Sequence, residues 1–289
     1  MTLPTFELLK PKSLEEVLGM LTAQPEALPV AGGTNLIVDM RAGKVSPKTV
    51  IDLSGLTELQ DIVVTDAHVT IGAAVSIAHL LHCSAVERVA PVLTSACRTF
   101  ANTLIRRRAT VGGNLVNAAP CADTAPALLV LDAEVELAST AGIRWMALSD
   151  FLVGAFKTQR RPDELLTSVR FPLPPASSRG SFQKMGLRKI SCMAKVDVAV
   201  HLDFDVSGAC RDARIAHGAA SAVALRVPAA EAVLVGQPLT LERINRAAQL
   251  TEASAQPRAG SEYKRQVVYG LTRRILTKIA ALGEDGEAT

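Results

Sequence analysis

The alternation of hydrophobic and polar residues predicts short strands and helices up to residue 171, and longer paired elements after it. The first helix is predicted to begin after Ser13, which forms a capping box with Glu16. Strands are predicted at 27–30, 49–53, 63–64, 69–71, 134–137, 165–171, 196–204 and 213–219, and further helices at 36–41, 77–86, 90–101, 124–131, 241–254 and 262–282. Strands with single helices, followed by strands with paired helices, indicate an α+β protein.

The domain boundary is predicted from proline content. Residues 172–178 contain three prolines, which interrupt both helices and strands. We therefore expect one domain over residues 1–175 and a second over residues 176–289.

The composition narrows the possible classes of function. A net charge of +3, with acids and bases interspersed and only 3% aromatic residues, is not typical of a nucleic-acid-binding protein. The five cysteines contain no C-x-x-C pair, which argues against disulfides and against an iron–sulfur cluster in this chain. His79 and His82 lack a third ligand nearby, so no metal site is expected. Without a visible signal peptide or membrane-spanning window, we expect a cytoplasmic protein.

Two glycine pairs indicate a bound anion. Gly32-Gly33 and Gly112-Gly113 each follow apolar residues and are followed by an asparagine within two positions. Glycine pairs let backbone N–H groups approach an anion closely. Either pair alone is typical of a strand-to-helix turn, but together they predict a long ligand whose pyrophosphate is held from both sides. No G-x-G-x-x-G or P-loop motif is present.

Three segments carry a family resemblance: AGGTNL at 31–36, IRRRATVGGNLVNAAPCAD at 105–123 and SEYKR at 261–265. In this order they resemble the FAD-binding medium subunit of molybdenum hydroxylases, the family of xanthine and carbon monoxide dehydrogenases. The resemblance implies a vanillyl-alcohol-oxidase-type FAD-binding domain with subdomains at about 1–56 and 57–175. It also implies a C-terminal α+β domain with an antiparallel sheet and helices. The implied cofactor is non-covalent FAD.

The resemblance also implies the residues that bind FAD. They are Pro29, Val30, Ala31, Gly32, Gly33, Thr34, Asn35, Leu36, Phe100, Thr110, Val111, Gly112, Gly113, Asn114, Asn117, Asp123, Leu166 and Lys184. The amides of residues 31–36 would face the phosphates, while Thr110, Gly113 and Asn114 would serve phosphate and ribityl oxygens. Asp123 is expected either to cap a helix or to contact FAD, or both. No residue is assigned as catalytic.

Three of these positions are placed at the flavin ring by resemblance. Phe100 and Leu166 would lie against its two faces, although core packing explains either residue equally well. Lys184 would lie near the flavin N1–C2 edge, where a cation stabilises the reduced anion.

The family resemblance implies partners as well. A large subunit would hold molybdopterin, a small one would hold two [2Fe-2S] clusters, and NAD is a possible electron acceptor. The chain departs from the family around Ser191-Cys192, which leaves the acceptor open, and Arg106–Arg108 is predicted to be a solvated loop. Two alternatives remain: a stand-alone FAD reductase or oxidase, and a non-catalytic scaffold.

Overall fold

A computed structural model describes residues 2–188 and 191–284. Its strands are β1 (Glu7–Leu9), β2 (Leu28–Val30), β3 (Thr49–Asp52), β4 (Ile62–Val64), β5 (His68–Gly72), β6 (Glu134–Ser139), β7 (Gly142–Ala147), β8 (Leu152–Gly154), β9 (Lys157–Thr158), β10 (Leu165–Pro172), β11 (Arg179–Met185), β12 (Val196–Phe204), β13 (Cys210–Gly218) and β14 (Leu225–Arg226). Its helices are α1 (Leu14–Ala23), α2 (Leu36–Arg41), α3 (Ile77–Leu81), α4 (Ser84–Val89), α5 (Pro91–Thr99), α6 (Thr103–Arg108), α7 (Val111–Asn117), α8 (Thr124–Leu129), α9 (Leu148–Phe151), α10 (Pro228–Ala232), α11 (Leu241–Ser254) and α12 (Tyr263–Glu284).

The N-terminal elements form a small parallel sheet in the order β1-β3-β2. The predicted cap of α1 is confirmed, because the Ser13 hydroxyl accepts a hydrogen bond from the Glu16 amide at 3.3 Å. The apolar face of α1 packs Val17 and Leu21 into a core shared with Ile51. This layer positions the end of β2, from which the chain enters the first glycine pair.

The second sheet is antiparallel, in the order β4-β5-β10-β6-β7, and shares a large core with helices α3, α5, α7 and α8. The predicted single helix over 77–86 is wrong, since α3 and α4 are separate. In one continuous helix, Val86 would point about half a turn away from Ile77. The break allows both side chains to be fully buried in the same core.

The C-terminal sheet is antiparallel, in the order β11-β12-β13-β14. One of its faces packs Val198, Val200 and Ile215 against α11 and α12. Side chains that alternate with these, Phe182 and Ala199 among them, belong to the core of the preceding domain. The sheet therefore lies between its own helices and the N-terminal part of the chain.

Backbone and charged contacts also join the two parts. The Ala219 amide donates to the carbonyl oxygen of Pro120 at 2.8 Å. Within the C-terminal part, the Lys264 ammonium donates to the carbonyl oxygen of the same Ala219 at 2.6 Å. Farther along the interface, Arg214 pairs with Asp132 at 3.0 Å. Within the described ranges, no helix is both long and apolar enough to cross a lipid bilayer.

His217 makes the stability of this domain sensitive to acid. Its side chain is fully buried between β13 and α11, where Nε2 lies 3.1 Å from the Ser254 hydroxyl. Burial lowers the pKa of His217 from 6.5 to about 4. Between these two pKa values the unfolded chain binds a proton at His217 that the folded chain does not bind. The free energy of unfolding therefore decreases as pH drops from about 6.5 towards about 4.

Because glutamine does not titrate, we expect the free energy of unfolding of His217→Gln to decrease by about 3 kcal/mol less than that of the wild type over this pH range. Urea unfolding of the wild type and the variant at a series of pH values measures it. Parallel stability profiles for the two proteins would contradict the prediction.

Candidate functional site

The first glycine turn, residues 31–36, connects β2 to α2. Gly33 has a φ of +68°, a conformation that side chains other than glycine rarely adopt. Among the hydrogen bonds of the described residues, none is donated by the amides of residues 32–36. Residues 32–36 are themselves at least partly exposed to solvent. Five consecutive free N–H groups form a suitable cradle for a phosphate.

The second glycine segment, residues 109–115, has a different structure from the one predicted. Its glycines lie in the first turn of α7, and the amides there already have acceptors. The Gly112 amide donates to the Ala73 carbonyl at 2.9 Å, and the Gly113 amide donates to the Thr110 hydroxyl at 3.1 Å. The amides of Gly112 and Gly113 therefore have acceptors within the protein, unlike those of the first glycine turn. That both segments hold one pyrophosphate stays a prediction.

Glycines in both segments let the backbone pack closely against neighbouring elements. A Cβ on Gly112 would lie 2.6 Å from the Ala73 Cβ, so α7 could not pack against the end of β5. A Cβ on Gly32 would overlap the carbonyl oxygen of Arg108, the last residue of α6. The first glycine turn therefore lies directly against the start of the second glycine segment, as a ligand shared by both requires.

Asp123 and Lys184 form a buried ion pair between the two domains. The Lys184 ammonium donates to Asp123 Oδ2 at 2.6 Å and to the Thr99 carbonyl oxygen at 3.1 Å. Both side chains are about 5% exposed. Burial raises the pKa of Asp123 to about 6, and the charge of Lys184 opposes that rise. Residues 61 positions apart, each predicted separately, thus meet in one site.

The expectation that Asp123 caps a helix is wrong. Asp123 stands at the N-cap position of α8, but its side chain makes no capping hydrogen bond because it is turned towards Lys184. Its other oxygen, Oδ1, is buried without a partner among the described residues. An unpartnered buried oxygen is costly in a folded protein unless a further group binds it.

The other predicted site residues are distributed between surface and core. Thr110 caps α7, and the Asn114 side-chain oxygen accepts a hydrogen bond from Thr124 at 2.6 Å. Asn117 ends α7 at a partly exposed position, and Phe100 is partly buried against the large core. Leu166 is only 3% exposed within that core, which accounts for the residue without a ligand.

The remaining predicted residues lie in and beside the first glycine turn or in α7. Pro29 and Val30 belong to β2, opposite Ile51 and Asp52 of β3. Val111 is fully buried as the first residue of α7. All of these contacts to FAD remain predictions.

Comparison with known proteins identifies the chain. The family model described as the FAD binding domain in molybdopterin dehydrogenase matches residues 4–174. The model of the CO dehydrogenase flavoprotein C-terminal domain matches residues 180–279. This chain belongs to the FAD-binding medium subunits of the xanthine and carbon monoxide dehydrogenase family. FAD is its cofactor, and the fold expected from the resemblance is confirmed.

Relatives and solved structures agree with this membership. The chain is 30% identical to the nicotinate dehydrogenase FAD-subunit of Eubacterium barkeri, over 97% of this chain and 98% of the relative. It is 30% identical to the carbon monoxide dehydrogenase medium chain of Afipia carboxidovorans, over 96% and 97% of the two chains. The fold matches a chain of quinoline 2-oxidoreductase from Pseudomonas putida 86 with a TM-score of 0.91, at 29% identity, over 97% and 99% of the two chains.

The residues of this subunit fit FAD. The free amides of the first glycine turn suit a pyrophosphate, and the unpartnered Asp123 Oδ1 offers an acceptor beside the buried ion pair.

Two further titratable residues act on this pair and were not predicted as site residues. Asp197 is fully buried in β12, and the half-buried Lys264 acts on it from α12. A single carboxylate within the apolar run Val196–Val200 was the available signal for Asp197.

Proposed function

We propose that this subunit relays electrons in a three-subunit molybdenum hydroxylase. It would take electrons from a small subunit with two [2Fe-2S] clusters and pass them to an acceptor such as NAD. A large subunit with molybdopterin would hydroxylate the substrate with water. The named relatives are FAD-subunits or medium chains of dehydrogenases, and this chain spans nearly their whole length.

The observation that carries the proposal is the buried Asp123–Lys184 pair next to the second glycine segment, where Thr124, the residue after Asp123, donates to the Asn114 side-chain oxygen at 2.6 Å. FAD, when bound, supplies the exchange between single electrons and hydride. The chain supplies position, exclusion of water and charge. The amides of residues 32–36 would bind the pyrophosphate, and Asp123 Oδ1 would accept a hydrogen bond from the cofactor.

Lys184 would provide the charge near the ring. Its ammonium is about 5% exposed, so water screens it poorly and its field acts strongly over a short distance. We place it near the N1–C2 edge of the flavin, where a cation favours the negatively charged reduced form. Phe100, partly buried two residues before the capping Asn102, would line one face of the ring, and Leu166 would support the other from the core.

Two further parts of the proposal concern organisation. We propose a domain boundary at residues 175/176, between β10 and β11, and the subdomain boundary near residue 56. The cytoplasmic location stays a prediction.

The test is to purify the tagged chain from its native host and measure flavin, iron and molybdenum together. We expect stoichiometric FAD, released intact by acid, with iron and molybdenum that leave when the partners are removed. Anaerobic reduction by substrate, followed by addition of NAD, tests the acceptor. FAD without iron or molybdenum would support a stand-alone reductase or oxidase, and a chain that takes up no FAD would support the scaffold.

Gly113→Val is expected to give a folded subunit with FAD affinity reduced by more than about tenfold. Gly113 is exposed, and an added Cβ would come close only to the Thr110 hydroxyl, at 2.9 Å, so the cap of α7 must shift while the buried core keeps its contacts and the ligand surface is filled. Gly270→Val is the matched control, since Gly270 lies inside α12 with nothing within 4 Å of an added Cβ. Fluorescence titration with FAD measures both. Full flavin content in Gly113→Val would contradict the placement of α7 against the cofactor.

A further inference from the structure

Asp197 is a buried carboxyl group that the proposed function does not use. It is fully buried at the start of β12, and neither of its oxygens has a partner that meets hydrogen-bond geometry among the described residues. Its neighbour across the sheet is Gly218, where an added Cβ would overlap Asp197 Oδ1 and lie 2.9 Å from a ring carbon of Pro126. An ionised carboxylate in such a dry site would lose its hydration without compensation.

The hydrogen bonds of Lys184 bear on the charge state of Asp197. Lys184 and Asp197 are directly opposite each other on β11 and β12, the position where opposite charges normally attract. Yet the Lys184 ammonium makes its hydrogen bonds to Asp123 and to the Thr99 carbonyl, across the domain interface. A lysine that pairs with an acid across the interface, and not with the acid opposite it in its own sheet, is expected where the acid in its own sheet carries no charge.

The charges around Asp197 lead to the same conclusion. The groups that act on it are Asp123 and Cys121 before α8, Lys184 on β11 and Lys264 on α12. Burial first, and the negative charge of Asp123 second, hold the pKa of Asp197 well above its usual range, and the two lysines and the Gly218 amide lower it by less. Lys264 is only half-buried and is hydrogen-bonded to the Ala219 carbonyl. Two buried carboxyl groups thus lie near one buried ammonium, which is hydrogen-bonded to Asp123.

We propose that Asp197 is a neutral carboxylic acid in the folded subunit, and that its neutrality lets Lys184 reach across the domain interface to Asp123. Asp197 is then a positioning residue for the lysine of the FAD site. If Asp197 were ionised, Lys184 would be drawn back into its own sheet and Asp123 would lose its counter-charge.

Infrared spectroscopy of the full-length, FAD-free chain tests the protonation state directly. With aspartate labelled by ¹³C at the side-chain carboxyl, we expect a carbonyl stretch of a protonated acid at neutral pH that shifts with the label. Asp197→Asn should lose this band. Asp203→Asn is the matched control, because Asp203 is buried on the same strand but is hydrogen-bonded by Ser177 and Arg211 at 2.6 Å each. These partners lower the pKa of Asp203, so its replacement should leave the band unchanged.

The double variant Asp123→Asn with Lys184→Met keeps the experiment decisive if Asp197→Asn does not fold. It removes the ammonium that Asp123→Asn alone would release towards Asp197, and it leaves burial, the largest cause of the raised pKa of Asp197, in place. The band must survive in this double variant if the proton is on Asp197. Absence of the band in the wild type, or its loss in the double variant, would overturn the proposal.

The pH dependence of unfolding is a second readout. The folded wild type keeps a proton that the unfolded chain releases above a pH of about 4, so its stability falls as pH rises up to the folded pKa. An asparagine does not titrate. We therefore expect the folded-to-unfolded ratio of the wild type, relative to Asp197→Asn, to fall about tenfold per pH unit through neutral pH. Profiles that stay parallel would overturn the proposal.

Both measurements use the FAD-free chain, so their outcomes are independent of the proposed function. A subunit with the band that binds no FAD would contradict the proposed function and support the neutral Asp197. A subunit that binds FAD but lacks the band would do the reverse.

Discussion

Lys184→Met is expected to lower the free energy of unfolding by about 3 to 5 kcal/mol at neutral pH, because it leaves a buried carboxylate without its counter-charge. The Asp123 side chain is 6% exposed, so water cannot replace the lost ammonium. FAD affinity should fall as well if Lys184 lies at the flavin. Urea unfolding and flavin titration measure the two effects separately.

The pH dependence of this loss follows from Asp123. Burial raises the pKa of Asp123 to about 6 even with Lys184 present. The ammonium stabilises the ionised form, so the stability that the pair provides is present above this pKa and decreases as pH falls through it. The cost of Lys184→Met should therefore be smaller at about pH 5 than at about pH 8.

Two comparisons isolate the buried pair. The double variant Lys184→Met with Asp123→Asn should recover part of the lost stability, because no charge is then left buried. Lys44→Met is the matched control, since Lys44 pairs with Asp39 at 3.2 Å on the surface, where its side chain is 71% exposed. It should change stability by less than about 1 kcal/mol. Equal costs for Lys44→Met and Lys184→Met would contradict the role assigned to burial.

Gly32→Ala is expected to reduce FAD affinity by more than about tenfold and to destabilise the fold by about 1–3 kcal/mol. The new methyl group would overlap the Arg108 carbonyl oxygen, which is backbone and cannot rotate away. The first glycine turn and the second glycine segment must then separate, which moves the free amides away from α7. Flavin content after purification and urea unfolding measure the two effects.

Gly19→Ala is the control for this substitution. Gly19 lies inside α1 with nothing within 4 Å of an added Cβ. Because alanine favours a helix more than glycine does, this variant should gain about 1 kcal/mol of stability and keep its FAD. A Gly32→Ala subunit with normal flavin content would show that the contact with Arg108 is not needed for binding.

Several elements could be predicted because their causes are local. Helix α11 spans Leu241–Ser254 as predicted, since its capping Thr240 and its apolar period lie within the segment itself. The hairpin of β4 and β5 follows equally from adjacent residues. By contrast, the prediction of a loop at Arg106–Arg108 is wrong, because these residues form the end of helix α6. The helix begins where the Asn102 side-chain oxygen accepts a hydrogen bond from the Ile105 amide at 3.0 Å.

The sequence alone determined the family and the cofactor, because the three motifs that carry the resemblance are contiguous segments of the chain. The tertiary structure decided which groups of these segments are free to bind. The amides of Gly112 and Gly113 donate hydrogen bonds to the Ala73 carbonyl and the Thr110 hydroxyl, whereas the amides of residues 32–36 donate none among the described residues. It also decided that Asp123 meets Lys184 and that neither oxygen of Asp197 has a hydrogen-bond partner in the part of the chain that the structure describes. Hydrogen-bond acceptors and burial come from segments distant in the chain, so no local pattern of residues records them.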